Sequence, residues 1–201
     1  MQIINCQQGK DEWFWLRLCC VTGTGFKKVM AKGSGKTRSD YMDILIEEYR
    51  TLEPRENIVT DDMRNGTDWE PVARLVYAAI KKTRVSQVGF VIYSDFVGIS
   101  PDGLVGDDGI IEIKCPRDTT HAKYLAKRER YAETSTCPPE YKAQVQGLLW
   151  VLGRKWLDFV SYHPAFDQSC MIVRVERDEE YIDRIENETN RFVEELKGRL
   201  K

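Results

Sequence analysis

Between Gly98 and Pro116 the chain reads GISPDGLVGDDGIIEIKCP, and no other stretch constrains the fold as tightly. GDDG is a tight-turn signal between two apolar runs, which predicts a β-hairpin. Side chains alternate along a strand, so Ile111 and Ile113 point to one face while Glu112 and Lys114 share the other. Across the turn, Asp102 lies near the far end of the partner strand and can approach the same face. Two carboxylates and an ammonium then converge on a hairpin that needs further strands beside it and helices to cover it.

The flanking sequence supplies both. GKDEWFWLRLCCV reads as a short helix, and the hydroxyls of Thr22-Gly23-Thr24 suit an N-cap for GFKKVMA. Gly33 to Ser39 reads as a loop, Asp40 begins a helix through YMDILIEEYRTL, and Thr60-Asp61-Asp62 opens a longer helical pattern interrupted near Gly66 and Pro71. From Val88 the period changes, with VGFVIYSD and FVGISPDGLVG reading as strands before the turn into IIEIK. Helical patterns return in THAKYLAKRERY and PEYKAQVQGLLWVLG, then strands in KWLDFVSYH and SCMIVRVER. The last helix places Ile182, Ile185, Phe192, Leu196 and Leu200 on or near one face. The expected fold class is α/β (α+β), a central mixed β-sheet flanked by helices, in one domain spanning 1–201.

Composition fits that reading. At 201 residues, with 42% hydrophobic and 31% charged, the chain can bury a core without staples, so its six cysteines are expected to be reduced thiols. No apolar run approaches a membrane span, and MQIINCQQGKDEW lacks the layout of an export signal. The expectation is a soluble, cytoplasmic protein. A net charge of −2 excludes indiscriminate wrapping of nucleic acid. Local basic runs, Lys27 to Arg38, Lys81 to Arg84 and Ala126 to Arg130, suit either solvated faces or a polyanion groove.

AKGSGKT, Ala31 to Thr37, ends like a phosphate-binding loop, but Met30 stands where that motif requires glycine, and no apolar strand leads into it. The hairpin is the better site. Asp102 and Glu112 are hard oxygen ligands of the kind Mg2+ takes together with waters and phosphate. Lys114 can position and deprotonate an attacking water or steady charge on phosphorus. An exposed salt-bridging stripe satisfies the bare E-x-K pattern equally well, so the wider context has to decide.

That context resembles the phage lambda exonuclease family, the YqaJ-type viral recombinases within the PD-(D/E)xK nucleases, whose core is restriction-endonuclease-like. Four segments match in the family's order: QGKDEWFWLRLCCVTGT, NGTDWEPVARLVY with Gly66, Glu70, Ala73 and Arg74, the SPDG and EIKCP core, and YKAQVQGLLWVLG with Tyr141, Gln144 and Gln146. The resemblance implies that Asp102, Glu112 and the main-chain carbonyl of Ile113 bind metal, with Lys114 acting on the water. Glu70 joins them as a ligand or through water, and Gln144 completes the catalytic set. Two Mg2+ ions ~4 Å apart are implied, with Mn2+ as a substitute. Arg17, Thr24 and Ser100 match the family's pocket for a terminal 5′ phosphate. Met63 takes the place of a strand-separating wedge, and Lys32 or Lys36 stands where a relative offers arginine to the duplex groove.

The activity implied is processive 5′-to-3′ digestion of one strand of linear double-stranded DNA from a 5′-phosphorylated end, releasing 5′-mononucleotides and leaving a 3′ overhang for recombination by strand annealing. A homotrimeric ring, a single-strand annealing recombinase as partner and a phage or prophage origin in a bacterial host are implied with it. The alternatives are an endonuclease of restriction or repair type, which would share Asp102, Glu112 and Lys114 but need no Arg17 pocket, and a non-catalytic DNA-end clamp. An iron-sulfur relative would need clustered cysteines, and Cys115, Cys137 and Cys170 are poorly spaced for that. His121 and His163 match no metal-binding spacing and read as structural or surface residues.

Overall fold

The computed structural model describes residues 1–31, 36–54 and 61–201, without the side chains of 61–67. In chain order they form strand β1 (Gln2–Ile4), helices α1 (Asp11–Leu16), α2 (Gly25–Val29), α3 (Thr37–Thr51) and α4 (Asp61–Lys81), and strands β2 (Val85–Ser86), β3 (Phe90–Ser94), β4 (Val97–Ile99), β5 (Gly103–Val105) and β6 (Gly109–Lys114). Helices α5 (Asp118–Leu125) and α6 (Arg128–Glu133), a 3-10 turn (Pro139–Tyr141), α7 (Lys142–Leu152), strands β7 (Trp156–Tyr162) and β8 (Cys170–Glu176), and α8 (Glu179–Leu200) follow.

The strands build a five-stranded mixed sheet, β2-β5-β6-β7-β8, and a three-stranded antiparallel one, β1-β3-β4. In the larger sheet only β6 and β7 run parallel. A parallel pair needs a crossover, and α5, α6 and α7 provide it. Apolar alternation sorts the two faces of this sheet. Ile110, Leu157 and Phe159 pack with α2, α3, α7 and α8, while Ile111, Ile113 and Val160 pack under Ala73 and Tyr77 of α4.

Local chemistry explains where helices begin and end. The Asp178 carboxylate accepts from the Tyr181 N–H at 3.1 Å and caps α8, whose first turn carries Glu179 and Glu180 and whose last carries Lys197 and Arg199. That polarity complements the helix dipole. The predicted apolar face of α8 is the buried one, with Thr189 and Val193 added to it. Helix α7 stops at Gly153, whose φ of +61° is a left-handed C-cap. On its other side α7 lies so close to α2 that a Cβ on Gly147 would stand 2.2 Å from the Phe26 ring.

Four boundaries differ from the sequence reading. Helix α3 starts at Thr37, before Asp40, with Lys36 at its cap position. Helix α4 runs unbroken through Gly66 and Pro71. Proline removes one backbone hydrogen bond there, and burial of Ala73 and Tyr77 against the sheet carries the helix through. The predicted run FVGISPDGLVG divides into β4 of the small sheet and β5 of the large one, because the chain changes sheets at Ser100-Pro101-Asp102. THAKYLAKRERY likewise forms two helices, α5 and α6, rather than one.

Candidate active site

Asp102 sits at the corner between the two sheets, directly before β5. Its Oδ2 accepts from the Ile113 N–H at 2.6 Å, which fastens the corner to the strand carrying Glu112 and Lys114. Glu112 is only 1% exposed and points toward α7. Its Oε1 accepts from Lys114 Nζ at 2.6 Å and from Gln144 Nε2 at 2.5 Å. Lys114 Nζ also lies 5.2 Å from the centre of the Tyr141 ring. Glu70 and Arg74, one turn apart on α4, form an ion pair, and Arg74 Nε donates to the Asp102 carbonyl at 2.9 Å. The structure therefore brings together Glu70, Asp102, Glu112, Ile113, Lys114 and Gln144 from four separate segments.

Burial without enough counter-charge defines the electrostatics. Desolvation and then the neighbouring Asp102 push the Glu112 carboxyl up to about 8. Glu70 is pushed up to about 7 by the same two causes, against the pull of Arg74. Burial raises Asp102 as well, opposed by Lys114, the Ile113 N–H and Arg74. Burial draws the Lys114 ammonium down, but Glu112 and Asp102 outweigh it and hold the group above its ordinary value. In this arrangement Lys114 donates to Glu112 Oε1.

These residues fit a divalent cation. Glu112 Oε2 is buried and has no hydrogen-bond partner, a state that costs about 1–3 kcal/mol or more for a charged group unless something fills it. An oxygen-seeking cation would fill it. Among the described residues no three His, Cys, Asp or Glu side chains gather around one point; the resemblance would have such an ion held by Asp102, Glu112 and the Ile113 carbonyl, with Glu70 as a further ligand or acting through water. The two histidines lie outside the site. His121 is buried with Nδ1 2.8 Å from Ser161 Oγ, and His163 packs edge-on against Trp69. Among the described residues all six cysteines are free, and burial pushes the thiol of Cys115 up to about 12, which leaves it inert.

A second polar cluster lies alongside. Ser100 Oγ accepts from Trp13 Nε1 at 2.7 Å and from Arg17 at 3.5 Å, and the Arg17 guanidinium lies 4.0 Å from the centre of the Trp13 ring. Trp13 was not singled out by sequence reasoning, although its i,i+4 spacing from Arg17 on a helical segment is a legible sign. Thr24 is exposed at the start of α2 and makes no side-chain cap bond. The buried Thr22 carbonyl instead receives the Gly25 N–H at 2.7 Å. The turn nevertheless borders the site, since a Cβ on Gly23 would stand 3.6 Å from Gln144 Cγ. Lys36 is exposed, while Lys32 and the Met63 side chain lie outside the described residues. A helix, α2, rather than a strand precedes the AKGSGKT segment, which removes the remaining case for a phosphate-binding loop there.

The model of the YqaJ-like viral recombinase domain matches residues 12–155, a span that contains every one of these side chains. The chain belongs to that family. Solved structures agree with the assignment. An alkaline exonuclease, LHK-Exo, from Laribacter hongkongensis is 37% identical, superposes with a TM-score of 0.84, and is matched over 95% of this chain and 94% of its own. The same enzyme in complex with dAMP superposes equally well at 36% identity. A phage-related exonuclease from Haemophilus somnus 129PT shares the fold at 15% identity, with a TM-score of 0.67 over 90% of this chain and 96% of that one. A comparison with curated proteins finds no match. The chain is thus an exonuclease homologue with the PD-(D/E)xK nuclease fold.

Proposed function

We propose that the chain is a Mg2+-dependent exodeoxyribonuclease that degrades one strand of linear duplex DNA in the 5′-to-3′ direction from a 5′-phosphorylated end. The observation that carries this reading is the unpartnered, buried Oε2 of Glu112 beside Lys114 and Asp102. A bound Mg2+ supplies Lewis-acid activation of water and neutralises charge at the departing 3′ oxygen. Asp102 and Glu112 hold it, Lys114 orients the attacking water and stabilises developing charge on phosphorus, and Gln144 keeps Glu112 aligned.

The polarity of attack rests on Arg17 and Ser100. A forked guanidinium and a hydroxyl suit a terminal phosphate monoester. Ser100 is two residues from Asp102, which limits their separation to about 7 Å, on the scale of one nucleotide along a strand. An end held there presents the first phosphodiester to the carboxylates, and a 5′-mononucleotide leaves. The dAMP complex of the Laribacter enzyme supports a deoxynucleoside monophosphate as a fitting occupant.

Membership of a viral recombinase family supports the wider role, in which the 3′ overhang feeds a single-strand annealing recombinase of phage or prophage origin. The proposal includes processive action by a homotrimeric ring. No helix among the described residues is long and apolar enough to cross a membrane.

The test uses linear duplex DNA labelled at either end and carrying a 5′ phosphate or a 5′ hydroxyl, with Mg2+ or EDTA. Mg2+-dependent release of mononucleotides from the phosphorylated strand is the expected result. Internal fragments would reassign the chain as an endonuclease, and end binding without cleavage would leave a clamp.

A further inference from the structure

The three carboxylates of the site share one pattern. Glu112 has Oε1 held by Lys114 and Gln144 and Oε2 without a partner. Asp102 has Oδ2 held by the Ile113 N–H, and Glu70 has Oε1 held by Arg74. In each case the bonds among the described residues engage one oxygen and leave the other. Asp102 is anchored from within the hairpin, and Glu112 by Lys114 of the hairpin together with Gln144 of α7. Glu70 comes from a different element, and its anchor is a side chain that also grips the hairpin's corner, since Arg74 Nε donates to the Asp102 carbonyl at 2.9 Å.

We propose that Arg74 is a positioning residue that fixes Glu70 relative to Asp102, and so sets the ion-binding geometry without touching substrate. The inference rests on the nuclease reading above. Glu70 and Asp102 repel one another, Lys114 and Arg74 both offset that repulsion, and of the two only Arg74 is bonded to Glu70 and to the corner. Arg74 is suited to the task because the planar guanidinium presents Nε and a terminal nitrogen in fixed relation, one to a carbonyl and one to a carboxylate. Lysine has three donors on one nitrogen, without the fixed fork that spans the Asp102 carbonyl and the Glu70 carboxylate. The Arg74 side chain is 12% exposed, which leaves little of it for a passing phosphate.

The test measures Mn2+ binding in the absence of DNA, by the loss of the free-ion electron paramagnetic resonance signal, for the wild-type chain and for Arg74→Ala, Arg74→Lys, Glu70→Gln and the Arg74→Ala/Glu70→Gln pair. Outer ligands of this kind are worth about tenfold to a hundredfold in metal affinity. Arg74→Ala is expected to weaken Mn2+ binding by that factor, with Arg74→Lys close to it. In the Glu70→Gln background the same change is expected to cost less than about threefold, because coupled residues are not additive. KM for DNA at saturating Mn2+ stays at the wild-type value. Wild-type Mn2+ affinity in Arg74→Lys, or a raised KM with unchanged ion binding, overturns the positioning role. If Arg74→Ala does not fold, Arg74→Lys and Glu70→Gln carry the comparison alone. A wild-type chain that neither binds Mn2+ nor cleaves DNA refutes the nuclease reading itself, whereas one that does both while the variants match it refutes only the inference.

Discussion

Two buried carboxylates sit on neighbouring strands and have opposite fates. Asp158 on β7 is fully buried, and three donors satisfy it: Tyr77 Oη at 2.8 Å, Arg174 Nε at 2.5 Å and a terminal nitrogen of Arg174 at 3.2 Å. Glu112 on β6 is as deeply buried, yet its donors crowd onto one oxygen and the other has none. Asp158 ties α4 to the sheet and its own strand β7 to the neighbouring β8, and asks for nothing further. Glu112 is held in an incomplete environment that a cation would complete. Burial alone marks neither as functional, and the unsatisfied valence separates them.

The sharpest way to break this contrast is to neutralise each side. Glu112→Gln and Lys114→Ala are each expected to lower Mg2+-dependent cleavage by about 10²–10⁴-fold. Metal-free stability of Glu112→Gln should stay within about 1 kcal/mol of wild type, because burial already favours the neutral form of that carboxyl. A large stability loss in urea with EDTA would show that Glu112 is structural after all. Asp158→Ala is expected to do the reverse, costing about 3 kcal/mol of stability while Mn2+ affinity holds. Loss of ion binding by a well-folded Asp158→Ala would dissolve the distinction.

Arg17→Ala should lower the preference for a 5′ phosphate over a 5′ hydroxyl by about tenfold to a hundredfold, the worth of a charge-assisted hydrogen bond. Initial rates on the two ends measure it, and an unchanged preference would remove Arg17 from the pocket. The smallest effect is on pH dependence. A carboxyl whose folded pKa is raised contributes fully below its ordinary value of 4.5 and loses that contribution as pH climbs through about 7 for Glu70 and about 8 for Glu112. Melting temperature without metal should therefore fall as pH rises from 4.5 to about 8, and Mg2+ should flatten the decline by taking the place of the protons. Glu112→Gln should flatten it in EDTA as well, and a slope unchanged by that substitution would locate the titration elsewhere.

Much of the site was legible along the chain because it is local. Asp102, Glu112 and Lys114 lie within thirteen consecutive positions, and strand alternation together with one turn predicts their convergence. Glu70 and Gln144 were nameable only through family resemblance, since nothing in an E-x-x-A-R or a Q-V-Q spacing says which way a helix faces. Arg74 and Tyr141 stood in those quoted motifs without a role. Their partners, the Asp102 carbonyl and the Lys114 ammonium, lie on other elements. The break between β4 and β5 was missed because apolar periodicity continues across Ser100-Pro101-Asp102 while the hydrogen-bonding partners change.

The hairpin, the amphipathic α8, the strand β7 and the types of residue available for chemistry are all consequences of periodicity, turn propensity and composition within short windows of the chain. Which carboxylate is satisfied and which is left open is a matter of packing between remote segments. That depends on donors from α4, α7 and β8 arriving at one oxygen or another, and such distances between remote segments are set by packing rather than by any local preference.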